Sequence, residues 1–324
     1  MIDTRRTLAV AFLWAASLSV VGCGGPPEAI PVDVAAHRSE VNGWVERRTA
    51  EMMAPDSWLS LIGLHWLDQA ETTIGSAPDN DIVLPEKAAP HVGRVIVEDD
   101  VVRFVAEADA RVTQGIDSTL SLRVGSGARP PNMWGDPVVQ EATLGDVAPG
   151  HHTVLRHGDF NWILVTRGDR FALRVRDNTN ASYSDFVAID RYATSADWHV
   201  TARWVPHEKT VAVPNVLGTI SDTPSPAYLE FWVEGERHTL DVIGRPEHGA
   251  YMMVFADLTT GGETYGGGRY LWVKEPDEDS RVVIDFNLAY NPPCVFTDFA
   301  TCPLPTRENR LALRVEAGER NWGH

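Results

Sequence analysis

Turn residues set the first limit on this fold. The 26 glycines and 21 prolines of the 324-residue chain are spread along its length. Most of the stretches between turn clusters are too short for a helix of several turns and alternate apolar with polar residues, the period of a half-buried strand. Val92–Val97 and Val101–Val105 are one such pair, joined by the acidic turn Glu98-Asp99-Asp100. From His199 the pattern repeats in Val200–Val205, Thr210–Val213, Tyr228–Val233, Arg237–Val242, Tyr251–Ala256, Arg269–Val273, Val282–Phe286 and Leu311–Val315. Glu234-Gly235-Glu236 reads as a hairpin turn. A helical pattern begins at Asp33: Val34, Val41, Trp44, Val45 and Met52 fall on one face, and Ala54-Pro55-Asp56 ends it. The spacing predicts an amphipathic helix packed on a first β domain.

The first 25 residues follow other rules. Arg5 and Arg6 precede an apolar run, Leu8–Val21, that is too short to span a bilayer comfortably. Val20-Val21-Gly22-Cys23 then resembles a bacterial lipobox. That resemblance implies cleavage before Cys23 and a diacylglyceryl thioether on its sulfur; a plain cleaved signal or a short anchor is the alternative. The expected membrane partner is reached through the Cys23 lipid. The location is the extracytoplasmic side of the cell envelope, and Gly24 after the cysteine leaves outer-membrane anchoring open if the host is Gram-negative. Residues 1–22 are read as the signal, 23–34 as a tether, 35–177 as the helix with a β-sandwich, and 178–324 as a second β domain. The turn cluster Asn178–Ser182 marks the boundary.

The formal charge is −17, and one unit more negative without residues 1–22, which hold Arg5, Arg6 and Asp3. Such a surface repels a polyanion and argues against a nucleic-acid partner. Cys294 and Cys302 remain once Cys23 carries lipid. Outside the cytoplasm their leading reading is a disulfide, with a metal site or a reactive thiol as alternatives. No metal-ligand spacing accompanies them, and no cofactor is expected. His151, His152 and His157 are close in sequence and read as exposed turn histidines.

Ile74-Gly75-Ser76, the step Asp79–Pro85 and the hairpin after it, with Leu155–Asp159 further on, resemble the forkhead-associated β-sandwich. That family reads phosphothreonine peptides through an arginine where this chain has Ser76, and through a Ser-x-x-His motif where it has Ala89-Pro90-His91. The scaffold is implied without the phosphopeptide site. ETYGGGRYL, IDFNLAYNPPC and ATCPLPTRENRLALRVEAGE, together with SWLSLIGLHWL and RVRD, resemble the bacterial family catalogued as domain of unknown function 1684. The likeness covers most of residues 44–320. It implies a mainly β, two-part fold, often exported, with no assigned activity. The C-terminal part is expected to be an antiparallel barrel or sandwich. The family's pattern points to Glu263, Tyr265, Arg269, Asp285, Asn287, Tyr290, Asn291, Glu308 and Asn309 as its shared site.

On their chemistry, Asp285 and Asn287 alternate on one expected strand and so share a face. Gly266–Gly268 allow close backbone approach beside Arg269. These residues make either a buried structural network or a pocket for a small polar or anionic ligand clamped by Arg269. No GxSxG, SxxK, HExxH, Walker or Rossmann motif sits in a suitable context. The leading expectation is an exported, lipid-anchored protein binding such a ligand, or a protein partner of the envelope, through its C-terminal domain. Whether it is an enzyme stays open. The alternatives are a hydrolase using Asp285 or Glu263, with Arg269 or Tyr265 stabilising charge, and a thiol redox role for Cys294 and Cys302.

Overall fold

The computed structural model of the chain describes residues 25–118, 136–148, 151–247 and 249–322. The signal segment and Cys23 lie outside the described residues. Helix α1 (Val34–Met53) starts where Asp33 caps it, its carboxylate accepting the Ala35 and Ala36 N–H groups. Then follow β1 (Leu61–Trp66), β2 (Glu71–Gly75), β3 (Ile82–Val83), β4 (Gly93–Glu98), β5 (Val101–Ala106), β6 (Thr113–Ser118), β7 (Glu141–Leu144), β8 (Asp146–Ala148), β9 (His151–His157), β10 (Phe160–Arg167) and β11 (Arg170–Asp177). They form two sheets. One runs β1-β11-β10-β9-β6 with β8 also on β9; the other runs β3-β2-β4-β5-β7. Their facing sides enclose Ile74, Phe104, Leu155, Phe160, Trp162 and Leu173, and the Phe104 and Trp162 rings sit 5.3 Å apart. The β4–β5 hairpin turns at Asp99 and Asp100, both at positive φ, as a two-residue turn with the native twist requires. The three histidines expected in a turn stand instead on β9.

A short helix α2 (Ser182–Asp185) leads into the second unit. It contains β12 (His199–Pro214), β13 (Ile220–Val233), β14 (Glu236–Asp241), β15 (Ile243–Glu247), β16 (Ala250–Phe255), β17 (Arg269–Lys274) and β18 (Arg281–Asp285). The sheets are β14-β13-β12-β18 and β15-β16-β17. Phe231, Phe255, Phe286, Leu229, Leu271 and Ile284 fill the space between them. Two short apolar runs of the sequence merge into β12, across a register shift between Pro206 and Lys209. The strand expected at Leu311–Val315 is irregular. It meets its neighbours through single bonds, Leu311 N–H to Ala256 O and Leu258 N–H to Leu313 O, and the Asp257 carboxylate takes the Val315 N–H. A carboxylate there replaces a strand neighbour.

The architecture is mainly β with one N-terminal helix, as expected. The helix, however, docks on the C-terminal unit. His37 of α1 reaches Asp285 at 2.8 Å, and Arg48 reaches Glu319 at 3.1 Å. Residues before the helix follow the same unit: the Ile30 N–H bonds Thr201 Oγ1, and the Gly25 carbonyl accepts from Arg203. Between the helix and the first sandwich lies Asp56, at positive φ, in a knot in which Arg156, Asn161 and Asn178 all donate to its carboxylate. No helix of the described residues is long and apolar enough to cross a membrane.

Candidate functional site

Seven of the nine residues singled out by sequence fall into three places. The first is the core of the C-terminal unit. Arg269 opens β17 and is fully buried. Its guanidinium donates to the carbonyls of Ala317, Val315 and Glu319, and lies 3.4 Å from Asp257. Asp257 also takes the hydroxyls of Thr259 and Thr260. Burial pushes Arg269 down from the usual arginine range, and the Asp257 charge opposes that push. The clamp expected of Arg269 is therefore turned inward: it ties the strandless segment 315–319 to the sheet. Gly268 makes this possible. It sits at φ +82°, and a Cβ there would stand 2.5 Å from both the Phe255 carbonyl and Pro305. The close approach allowed by the glycines is to the protein itself.

Asn309 belongs to the same core. Its Oδ1 accepts the Asp241 N–H at 2.7 Å, and its Nδ2 donates to the carbonyls of Asp241 and Val254 at 2.9 and 3.0 Å. It acts as a main-chain surrogate between two strand ends that have no strand between them.

The second place is the seam with α1. β18 ends at Asp285, and Asn287 lies in the single turn that Asp285 caps, so the two do not share a strand face. Asp285 Oδ1 accepts from Asn287 Nδ2 at 2.8 Å, while Oδ2 meets His37. Asn287 also brackets the Ser195 backbone, donating to its carbonyl and accepting its N–H. Asn291 sends its main-chain N–H to Glu319 at 2.7 Å and its Nδ2 to the Arg320 carbonyl. The Tyr290 hydroxyl accepts from Trp272 Nε1 at 2.8 Å, and Arg48 stacks over its ring. Cys294 and Cys302 form a disulfide, with Cα atoms 6.2 Å apart, in the loop that follows.

Glu263 and Tyr265 stand at the surface end of the 257–268 loop. Glu263 accepts from Arg314 and from the Tyr192 hydroxyl, and these bonds hold it below the usual carboxylate range. Tyr265 is half-buried; burial and then the Asp298 charge push its hydroxyl up. No polar contact joins Glu263, Asp285 and Arg269 among the described residues, so the acid, base and charge stabiliser of a hydrolase are not assembled.

The third place is a cleft of about 570 Å³ beside β12. Its walls are Lys209–Ala212 with Pro214 on one side, and Pro305–Glu308 with Arg310 on the other. Of the nine candidates only Glu308 lines it. Lys209, Arg307 and Arg310 were missed, although Arg307 and Arg310 flank two chosen residues. Their signal was cationic charge in an acidic chain, which is faint beside the Gly, Pro and Asn of the motif. Lys209 is paired with Asp241 at 2.8 Å. Near that pair His207 bonds Ser225 Oγ at 2.8 Å; burial and then the Lys209 charge lower its affinity for a proton. This Ser-His-Asp set is not a nucleophilic triad. One nitrogen, Nε2, faces both partners, and Ser225 is buried with its hydroxyl donated to the Val242 carbonyl.

These features define a two-unit, mainly β protein whose motif-rich segment locks the C-terminal fold. Residues 184–320 match the model of the family described as Protein of unknown function (DUF1684), and through this unit the chain belongs to that family. It is also similar to an uncharacterised protein of Haloarcula marismortui solved by solution NMR. The identity is 31%, over 42% of this chain and 78% of that one, with a TM-score of 0.36. No curated protein matches the chain.

Proposed function

We propose that this is an exported, lipid-anchored protein of the cell envelope whose C-terminal unit binds a small anionic ligand, or an acidic protein partner, in the cleft beside β12. The observation that carries the binding reading is the lining: Arg307 and Arg310, with Lys209 already paired to Asp241, against one lining carboxylate, Glu308, in a chain of charge −17. Concave positive ground in a negative molecule attracts anions and concentrates field lines. The lipobox-like Val20-Val21-Gly22-Cys23 supports the anchor. Gly25 and Ile30, held on β12, lie only a few residues beyond the proposed lipid.

Two measurements test the proposal. Mass spectrometry of protein recovered from membranes should find Cys23 as an acylated N-terminal residue, and Cys23→Ala should move the protein to the soluble fraction. A Cys23→Ala protein that stays with the membrane refutes the anchor. A thermal-shift screen of anions should find stabilisation of about 2.7 kcal/mol at 100 times the dissociation constant. The hit should be lost in Arg307→Ala/Arg310→Ala; a hit kept in full by that variant places binding elsewhere.

A further inference from the structure

We infer that the uncharged tip of the β12–β13 hairpin inserts into the lipid bilayer that holds the anchor, as a second membrane contact of the same chain. This rests on the Cys23 anchor proposed above and is independent of the cleft. The tip is apolar and uncovered: Val216 is 38% exposed, Leu217 44% and Ile220 66%. Residues 210–221 carry no charged side chain, in a chain of which 23% is charged. Exposed aliphatic side chains gathered on one turn mark a contact with something apolar.

The backbone favours lipid over a protein groove. In hydrocarbon, every main-chain donor must find its partner within the protein. The five N–H groups of residues 215–219 all do. Those of Asn215 and Gly218 meet the carbonyls of Thr219 and Asn215. Those of Leu217 and Thr219 both reach Asn215 Oδ1, at 2.9 and 3.2 Å. The Val216 N–H bonds the carbonyl of Cys302, a residue fixed by the disulfide. Asn215 Nδ2 donates to Thr219 Oγ1 at 2.6 Å, and Gly218 closes the turn at φ +78°. A loop that grips a polar ligand or a protein main chain keeps donors free, whereas this one bonds them to itself. Its composition agrees. Protein hot spots are enriched in Trp, Tyr and Arg, with Leu and Val under-represented, and residues 214–221 contain none of the three enriched types.

The start of the chain places the bilayer. The Ile30 N–H is bonded to Thr201, and the Gly25 carbonyl to Arg203. Followed back from α1, the segment therefore runs along β12 in the direction of the tip. Cys23 lies two residues beyond Gly25, a reach of about 7 Å. From Arg203 to Pro214, where the tip begins, β12 spans about 36 Å as an extended strand. Lipid and tip are thus two contacts along one strand. Together they hold the hairpin along the bilayer, where a lipid alone leaves the body free to swing. The anchor also keeps the tip concentrated at the surface, so three aliphatic side chains suffice although they would not retain an unanchored protein.

The test is photocrosslinking in membranes of cells that make the full-length chain. A photoreactive benzoylphenylalanine replaces Leu217 in one sample. In a second it replaces Val101, which is exposed on the β4–β5 hairpin of the other unit. Mass spectrometry reads the adduct at each position and the state of Cys23 in the same protein. Phospholipid should be attached at position 217 about tenfold more than at position 101. Val216→Ser/Ile220→Ser should cut the yield at 217 about threefold, by removing apolar surface from the tip, with the fold kept as at other exposed sites. An acylated Cys23 with a protein attached at 217, or with no more phospholipid there than at 101, overturns the inference and leaves the anchor standing. A Cys23 without lipid overturns both.

Discussion

The motif-rich core around Arg269 and the cleft around Arg307 are opposites built from neighbouring sequence. Arg269 and Asn309 are buried, and their donors meet carbonyls of the chain itself. Arg307 and Arg310, two positions before Asn309 and one after it, are exposed, with no carboxylate partner among the described residues. Both regions hold the residue types that read as a site. They differ in whether the fold has already satisfied them. A polar group already bonded within the protein has little left to offer a ligand, so an unsatisfied group marks function better than a dense motif.

The largest expected effect is at Arg269. Arg269→Met removes the partner of buried Asp257 and strands three carbonyls. Urea unfolding should show a loss of about 3–5 kcal/mol. A loss below about 1 kcal/mol would erase the contrast with the cleft.

Asn309→Leu comes next. It unpairs the Asp241 N–H and two carbonyls, and should cost about 3 kcal/mol on the scale of buried unmade bonds. A stable variant with altered ligand affinity would return Asn309 to the list of binding residues.

Acid should strain the Asp56 knot. Burial pushes the Asp56 carboxyl up, but the Arg156 bonds and charge, the Asn178 bond and the Arg176 charge outweigh it and hold it below the usual range. Its folded state therefore favours the ionised form. The contribution is full above the ordinary carboxylate value of about 4 and is lost as pH falls through the lower folded value. Melting temperatures measured from pH 6 to pH 2 should fall less on the acid limb for Asp56→Asn than for the parent. Equal limbs would deny the knot its electrostatic part.

The smallest effect on stability belongs to the cleft. Arg307→Ala/Arg310→Ala should stay within about 0.5 kcal/mol of the parent in urea, as exposed substitutions do, while losing anion affinity. A large loss of stability would make these arginines architectural too, and the two regions would cease to differ.

Local patterns carried much of this fold. Alternation and turn chemistry located the β4–β5 hairpin and the β13–β14 turn at Glu234-Gly235, because period and positive-φ tolerance are properties of neighbouring residues. Asp33 and Ala54 bounded α1 for the same reason. The irregular path of Leu311–Val315 was not legible. Its apolar alternation is that of a strand, but single main-chain bonds to Ala256 and Leu258 and the side chains of the distant Asp257 and Arg269 stand in for a ladder.

The sequence by itself determined the mainly β class, the single N-terminal helix and the segment on which the C-terminal unit depends. Tertiary structure alone decided which unit the helix joins, since an amphipathic face specifies burial but not a partner. It also decided that Arg269 points inward and Arg307 outward. An arginine beside glycines looks the same in either setting, and only the carbonyls of residues 315–319, brought in from 46 to 50 positions away, separate a structural cation from one free to bind.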